Sequence, residues 1–256
     1  MIHHAVLDDA LYVVIRNPDN NKDSLQKIAI KLDSDTNTII DDRNNTDSSD
    51  DITYRIYLDS IYKLSSGLGT YDSVTDSTTF TTPEGFSSFE NLKLYDNNTS
   101  SDDVGELVTI SEGSETQLVV DGNWSSRDSI LGYTYDMEVK LPTIYKTIVS
   151  DANVNTDTTG SLVVHRVKLS FGANGTYTTT LDRKGKPSYT DTWESIPSDE
   201  YEANQVGIDN LTIRTIPAYE NNHNLSISIK SSAPTPATLY SMSWEGDYTN
   251  KYYQRV

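Results

Sequence analysis

An acidic run near residue 35 has the side chains that could bind a metal ion. Residues 33–37 read Asp33-Ser-Asp-Thr-Asn37, which opens like the calcium loop of an EF-hand. That loop requires glycine at its sixth position and glutamate at its twelfth, where this sequence has Thr38 and Asn44. The sequence therefore predicts a solvated acidic loop and no bound metal.

The four histidines do not have the spacing of a zinc site. His3 and His4 are neighbours on a predicted strand, so their side chains point to opposite faces and cannot chelate one ion. His165 lies mid-strand beside Arg166. The chain has no cysteine, which excludes disulfides, thiolate metal sites and thiol nucleophiles. We expect no cofactor and no metal.

No arrangement of residues singles out a catalytic site. Hydrolysis of a glycoside requires two carboxylates about 5–10 Å apart. Because the chain has 38 acidic residues, some pair will meet that distance by chance, and candidates such as Glu194 and Glu245 have no special status. The motifs of serine hydrolases, P-loop proteins and zinc proteases are absent from the sequence. We therefore expect no enzyme activity.

Aromatic side chains near polar loops leave a binding function open. Trp124, Trp193 and Trp244 have aspartate or asparagine in the surrounding sequence, a combination that holds sugars in carbohydrate-binding proteins. Three tryptophans in 256 residues is about the average frequency for proteins, so their number alone does not indicate a binding site. These residues keep open the function of a carbohydrate-binding adhesin or receptor-binding tail domain, as the alternative to a purely structural role.

The overall charge restricts the partners. The formal net charge is -18 at pH 7, which repels DNA and anionic membranes. No apolar run approaches the roughly 20 residues that a membrane-spanning helix needs. The N-terminus lacks the basic and apolar regions of a signal peptide.

Short alternating apolar runs predict an all-β, antiparallel fold, and no helical stripe lasts three turns. Residues Ile2–Leu7, Leu11–Arg16 and Leu25–Leu32 predict three consecutive strands of a meander or partial β-propeller, or of any small sheet. Residues Asp33–Asp51 predict a long acidic loop. Residues Glu106–Ile110 and Gln117–Val120 predict a hairpin.

A domain boundary is expected near Lys140 to Ile144. Residues 1–142 would form the meander or partial propeller region with long acidic loops. Residues 143–256 would form a β-sandwich-like C-terminal domain, with a loop at Ser150–Gly160. Its strands are expected at about Leu162–Phe171, Gly175–Asp182, Gly207–Ile216, Leu225–Ile229 and Thr238–Glu245.

The order of several segments resembles the C-terminal region of the tail tubular protein B (nozzle) family of short-tailed bacteriophages. The matching segments are Gly132–Val139, Gly160–Phe171, Asn174–Tyr177, Leu225–Ser232 and Tyr240–Tyr248. The strands of Ile2–Leu32 also look like a propeller blade of this family. Members of the family are several times longer, so the chain is expected to correspond to their C-terminal part, as a fragment or as the product of a split gene.

The resemblance implies a structural role in the virion tail. Family members form a homohexameric ring below the tail adaptor ring and continue the channel for DNA ejection, with tail fibres attached near the junction. DNA passes through without specific binding. The family has no catalytic residues to transfer to this sequence.

The last 18 residues are the expected assembly interface, because a solvated tail would not have so many large apolar and aromatic side chains. Strand alternation would place Tyr240, Met242 and Trp244 on one face and Leu239 with the neighbouring serines on the other. The alternative is that this segment is the last strand of its own sandwich. The candidate interface residues are Tyr240, Met242, Trp244, Tyr248, Tyr252 and Tyr253.

Overall fold

The fold is all-β and antiparallel, as the alternating sequence pattern predicts. The computed structural model describes residues 3–7, 10–16, 23–29, 38–41, 52–86, 88–97, 105–150, 153–195, 207–209 and 211–250. In these ranges the helical structure is limited to a single 3-10 turn at Asn222–Asn224. No helix in the described residues is long and apolar enough to cross a membrane.

The strands group into two compact units, of which the first contains β1 to β13 and the second β14 to β22. The strands of the first unit are β1 (His3–Leu7), β2 (Ala10–Arg16), β3 (Asp23–Ala29), β4 (Thr38–Asp41), β5 (Ile52–Arg55), β6 (Asp59–Leu64), β7 (Thr70–Asp72), β8 (Ser77–Thr81), β9 (Leu92–Asp96), β10 (Leu107–Thr109), β11 (Glu112–Gly113), β12 (Gln117–Asp121) and β13 (Ser129–Tyr133). The strands of the second unit are β14 (Met137–Lys140), β15 (Lys146–Ser150), β16 (Asn153–Asp157), β17 (Ser161–Asn174), β18 (Tyr177–Arg183), β19 (Tyr189–Trp193), β20 (Thr212–Asn221), β21 (Leu225–Ser231) and β22 (Ala237–Thr249).

The first three strands form the predicted antiparallel sheet in the order β1-β2-β3. The next segment differs from the sequence prediction. Residues Thr38–Asp41, expected in the acidic loop, form β4 and pair with Ile52–Arg55 of β5. The apolar pair Ile39 and Ile40 gives this short segment strand propensity despite its polar surroundings. The predicted calcium-like run of residues 33–37 lies outside the described residues.

Two four-stranded sheets of the first unit share one hydrophobic core. Their strand orders are β10-β9-β13-β6 and β11-β12-β8-β7. The core side chains come from both sheets and from three connecting segments, and are Leu64, Phe80, Phe86, Leu92, Leu94, Ile110, Leu118, Val120, Trp124 and Leu131. The outer pairs β9–β10, β7–β8 and β11–β12 are sequential neighbours, but β13 pairs with β9 and β6 and β12 pairs with β8, so the two sheets do not continue the simple meander of β1 to β3.

The predicted hairpin of Glu106–Ile110 with Gln117–Val120 is wrong. Strand β10 pairs with β9, whereas β12 pairs with β11 and β8. The chain crosses from one sheet to the other between Ile110 and Ser111. The amide of Ile110 donates to Leu92 O at 3.5 Å in the first sheet, and the amide of Ser111 donates to Val119 O at 2.9 Å in the second.

The second unit is a two-sheet sandwich. The sheets have the orders β14-β21-β18-β19 and β20-β17-β22, and β15 with β16 forms a separate hairpin. The core between the two sheets contains Leu162, Val164, Val167, Leu169, Phe171, Tyr177, Leu181, Ile216, Ala218, Ile227 and Ile229. The predicted loop at Ser150–Gly160 is wrong over β16, whose sequence is too polar to indicate a strand.

Candidate assembly surface

The central feature of the second unit is the long three-stranded sheet β20-β17-β22. Apolar residues alternate along β17 and face the core, which leaves the opposite side of the sheet to solvent. We call that side the outer face. Its side chains include Arg166, Lys168, Ile213, Tyr219, Tyr240, Glu245 and Asp247.

The structure separates the predicted interface residues on β22. Met242, Trp244 and Tyr248 are partly buried against the core of their own unit, and so is Leu239. Tyr240 is 67% exposed. Tyr252 and Tyr253 lie outside the described residues. The segment therefore contributes a strand to its own sandwich, and of the described candidates Tyr240 is the exposed one.

The prediction that Tyr240, Met242 and Trp244 share one face is wrong because β22 contains an irregularity. Ser241 pairs with Ser170, but the next partner of β17, Phe171, pairs with Leu239. Tyr240 is thus an extra residue, a β-bulge, which shifts the alternation by one position. Leu239 and Met242 both reach the core, and the ring of Tyr240 lies against Gly172 on the outer face.

Charged side chains form a paired network in the middle of the outer face. Glu245 accepts a hydrogen bond from Lys168 Nζ at 2.9 Å, and it forms an ion pair with Arg166, whose Nε lies 2.9 Å from Glu245 Oε2. The hydrogen bond from Lys168, followed by the charge of Arg166, holds the pKa of Glu245 below its usual value. Solvent screens these exposed pairs, so each contributes little to stability. Their main consequence is that the middle of this face is not acidic although the chain is.

The pairing of β17 with its two neighbouring strands is irregular around His165. The register shifts between Val164 and Arg166 against both neighbouring strands. The ring of His165 stacks on Tyr219 with 5.7 Å between centroids, and its Nε2 lies 3.2 Å from Asp247 Oδ2. Tyr219 has φ +46°, a left-handed conformation that is uncommon for an aromatic residue.

Gly246 of β22 pairs with Val164, next to this irregularity. The absence of a side chain lets β22 approach β17 closely there, since a Cβ at this position would collide with the backbone of Val163. We expect Gly246→Ala to destabilise the second unit by about 1–3 kcal/mol, since backbone must move to admit the methyl group. Gly172→Ala is the matched control, because its methyl group would meet the movable ring of Tyr240 instead of backbone. Urea denaturation of both variants tests this. A smaller loss for Gly246→Ala than for Gly172→Ala would contradict it.

Tyr248 ties the end of β22 to the end of β16. Its hydroxyl donates to Asp157 Oδ2, while Asp157 Oδ1 accepts from the amides of Thr159 at 2.8 Å and Gly160 at 3.1 Å. The bond from Tyr248, followed by those from Thr159 and Gly160, holds the pKa of Asp157 well below its usual range. The ionised carboxylate is therefore the form that the fold stabilises.

This lowered pKa predicts a pH dependence. The contribution of Asp157 is fully present above the usual aspartate pKa of about 4, and is lost as the pH falls through the lowered folded-state pKa. Tyr248→Phe should therefore lower the melting temperature at about pH 6, and the difference from the unmodified chain should shrink in strong acid. Melting curves across this pH range test it, and a difference that grows in acid would contradict the assignment.

The tryptophans proposed as a sugar platform are already engaged within the protein. Trp124 is buried and donates from Nε1 to Asp121 O at 3.0 Å. Trp193 donates to Asp209 Oδ2 at 2.9 Å, and the guanidinium of Arg214 lies over its ring at 5.1 Å. Trp244 is partly buried in the core. The alternative of an exposed tryptophan platform therefore has no support from these residues.

The other residues considered for catalysis or metal binding are ion-paired or exposed on the surface. Glu245 is ion-paired as described, and Glu194 follows β19 on the surface. His4 is exposed on β1. Among the described residues there is no group of three or more histidines and carboxylates that could hold a metal ion.

Sequence reasoning missed Ile213 and Tyr219 on β20. Both are exposed at alternating positions of this strand, opposite the buried Ile216 and Ala218. Alternation along Thr212–Asn221 could have indicated which side chains face outward, because Ile216 and Ala218 are both apolar at spacing two. The strand expected from the sequence ended at Ile216, before Ala218 and Tyr219, so this part of the pattern was missed.

Comparison with known proteins gives an identification that agrees with the observed all-β fold. The family model described as bacteriophage nozzle protein matches residues 1–255. A comparison with curated proteins found no match. The match extends over both units and so over more of the chain than the segments that carried the sequence resemblance. The chain therefore belongs to the bacteriophage nozzle protein family and is a structural protein of the virion tail.

Proposed function

We propose that the chain assembles with copies of itself into a homohexameric ring that continues the DNA-ejection channel of a phage tail. The family match over residues 1–255 is the observation that carries this proposal. The ring would contact the tail adaptor ring on one side and tail fibres near the junction. It would have no enzyme activity.

The charge of the chain suits a conduit for DNA. Each copy contributes 38 carboxylates against 20 lysine and arginine side chains. Proteins that hold DNA do so mainly through cations that displace counterions from phosphates. A wall with an excess of carboxylates repels phosphates instead, so DNA would pass without adhering.

A closed ring of identical copies requires a contact between two different surfaces of the chain. The outer face of β20-β17-β22 supports this role because its acidic residues Glu245 and Asp247 are paired with basic ones. Aromatic and apolar side chains with large contact area, such as Tyr219, Tyr240 and Ile213, are exposed there.

Sedimentation velocity of the purified chain, as a concentration series, tests the self-assembly. We expect a species with six times the 28.6 kDa mass of one chain. A gel-shift assay with double-stranded DNA at low salt tests the channel role, and we expect no retardation, with a basic DNA-binding protein as the control. A chain that remains monomeric at every concentration contradicts the ring, and DNA binding at low salt contradicts the repelling wall.

A further inference from the structure

The hairpin of β15 and β16 is the least supported element of the second unit. In the described part of the chain its two strands pair with each other and with no other strand. Val149 and Val154 are direct cross-strand partners and are 74% and 69% exposed. A two-stranded hairpin alone is marginally stable in water, so a partner surface is needed to cover it.

The base of this hairpin is held while its far part is exposed. At the base, Lys146 faces Asp157, and Asp157 is bound by Tyr248 from β22. The described side chains between Lys146 and Asp157 are uncharged and exposed. The hairpin is therefore oriented by its own unit, and its paired positions around Val149 and Val154 are uncharged and not covered by that unit. The one charged residue between Lys146 and Asp157 in the sequence is Asp151.

Charge favours a second copy of this chain as the partner. Two chains with a net charge of -18 each repel, so a contact between them is least unfavourable where both surfaces are uncharged. One end of the outer face meets this condition. There Ile213 and Ser241 flank Ser170 in one cross-strand row, and Tyr240 lies beside them.

We propose that the β15–β16 hairpin of one copy docks on the Ile213–Tyr240 end of the outer face of the next copy. The two surfaces differ, so the contact is of the head-to-tail kind that closes rings. Val149 and Val154 would cover Ile213 and Tyr240, which are 63% and 67% exposed in the single chain. This inference rests on the proposed ring and specifies which surfaces form it.

Cross-linking between singly substituted chains tests the contact, because the natural chain has no cysteine. Val154→Cys chains and differently tagged Ile213→Cys chains are mixed under assembly conditions and treated with a short bismaleimide. We expect a covalent dimer that contains both tags, on the order of tenfold more than when Val74→Cys replaces Val154→Cys. Val74 is the matched control because it is 91% exposed and lies in the first unit.

Charge substitution provides the second test. The double variant Val149→Asp with Val154→Asp should lose the ring species, since it would bring two carboxylates to an uncharged contact of an acidic protein. Val74→Asp should keep it. Two carboxylates at directly paired positions also repel within the hairpin, so the single variant Val154→Asp, which lacks that repulsion, should lose the ring species as well. Val154→Asp and Val74→Asp should both retain the melting behaviour of the natural chain, because the altered side chains are exposed.

The outcomes separate this inference from the proposed function. If the natural chain forms rings but the mixed-tag dimer is no more abundant than the control, or the double variant still assembles, the hairpin contact is wrong and the ring stands. Preferential linkage of Val154→Cys to itself would indicate a two-fold contact and would also overturn it. If the natural chain never assembles, the proposed ring and the hairpin contact both fail.

Discussion

Replacement of Phe171 by alanine is expected to destabilise the second unit by about 3–5 kcal/mol. Phe171 is fully buried on β17, between the two sheets of the sandwich. Its ring stacks on that of Tyr177 with 4.0 Å between centroids. Truncation removes this contact and leaves a cavity in the middle of the core, which the long strands on both sides cannot readily close.

Equilibrium urea denaturation measures this loss. The matched control is Ile213→Ala on the same sheet, and both variants are measured at a concentration at which sedimentation velocity finds single chains. In the single chain Ile213 is exposed on the outer face, so its truncation should change the unfolding free energy by no more than about 0.5 kcal/mol. Equal losses for the two variants would show that the outer face is covered within a single chain. That result would contradict both the sandwich assignment and the availability of this face for assembly.

Arg127→Ala is the second substitution with a large expected effect, at roughly 3 kcal/mol. Arg127 Nη1 donates to Asp96 Oδ2 at 3.2 Å and to Glu106 Oε2 at 2.5 Å. The Asp96 side chain has no exposed surface. Removal of the guanidinium takes a cation away from this buried carboxylate, and that loss costs more than the ion pair itself contributes.

Arg16→Ala is the control for this prediction. Arg16 and Asp23 form an ion pair with a similar distance, 2.8 Å, but both side chains are about half exposed. Its loss should cost much less than that of Arg127, because solvent screens exposed pairs. Urea denaturation of the two variants compares a buried with an exposed carboxylate. A loss for Arg127→Ala no larger than that for Arg16→Ala would show that the first unit does not depend on this contact.

Strand positions in the second unit were predictable because burial on one side leaves a period of two in the sequence. Residues Leu162–Phe171 have this pattern clearly, and the structure extends the strand only to Ser161–Asn174. By contrast, β16 and β19 consist largely of polar residues. Strands of this kind are held by pairing with their neighbours, so their own sequence contains little indication of them.

Strand pairing was less predictable than strand position. Val108 and Val119 both belong to alternating segments that are close in sequence, which favours a hairpin. The structure instead separates them into two sheets because Ile110 fills the core between those sheets. A local pattern indicates which residues are buried but not which of two sheets receives them.

The candidate surface shows how one irregularity defeats an alternation argument. A regular β22 would place Tyr240 with Met242 and Trp244, but the bulge opposite Ser170 and Phe171 moves Tyr240 to the outer face. No residue type in Leu239–Met242 marks the bulge. The family assignment does not depend on this detail, since it rests on the match over residues 1–255.

Electron microscopy of the purified chain tests the central claim most directly, because a ring has a visible symmetry. We expect two-dimensional class averages with six-fold symmetry and an open centre, formed by the natural chain and lost in the variant with Val149→Asp and Val154→Asp. Class averages of monomers, trimers or closed particles without a central opening would contradict the proposed nozzle ring.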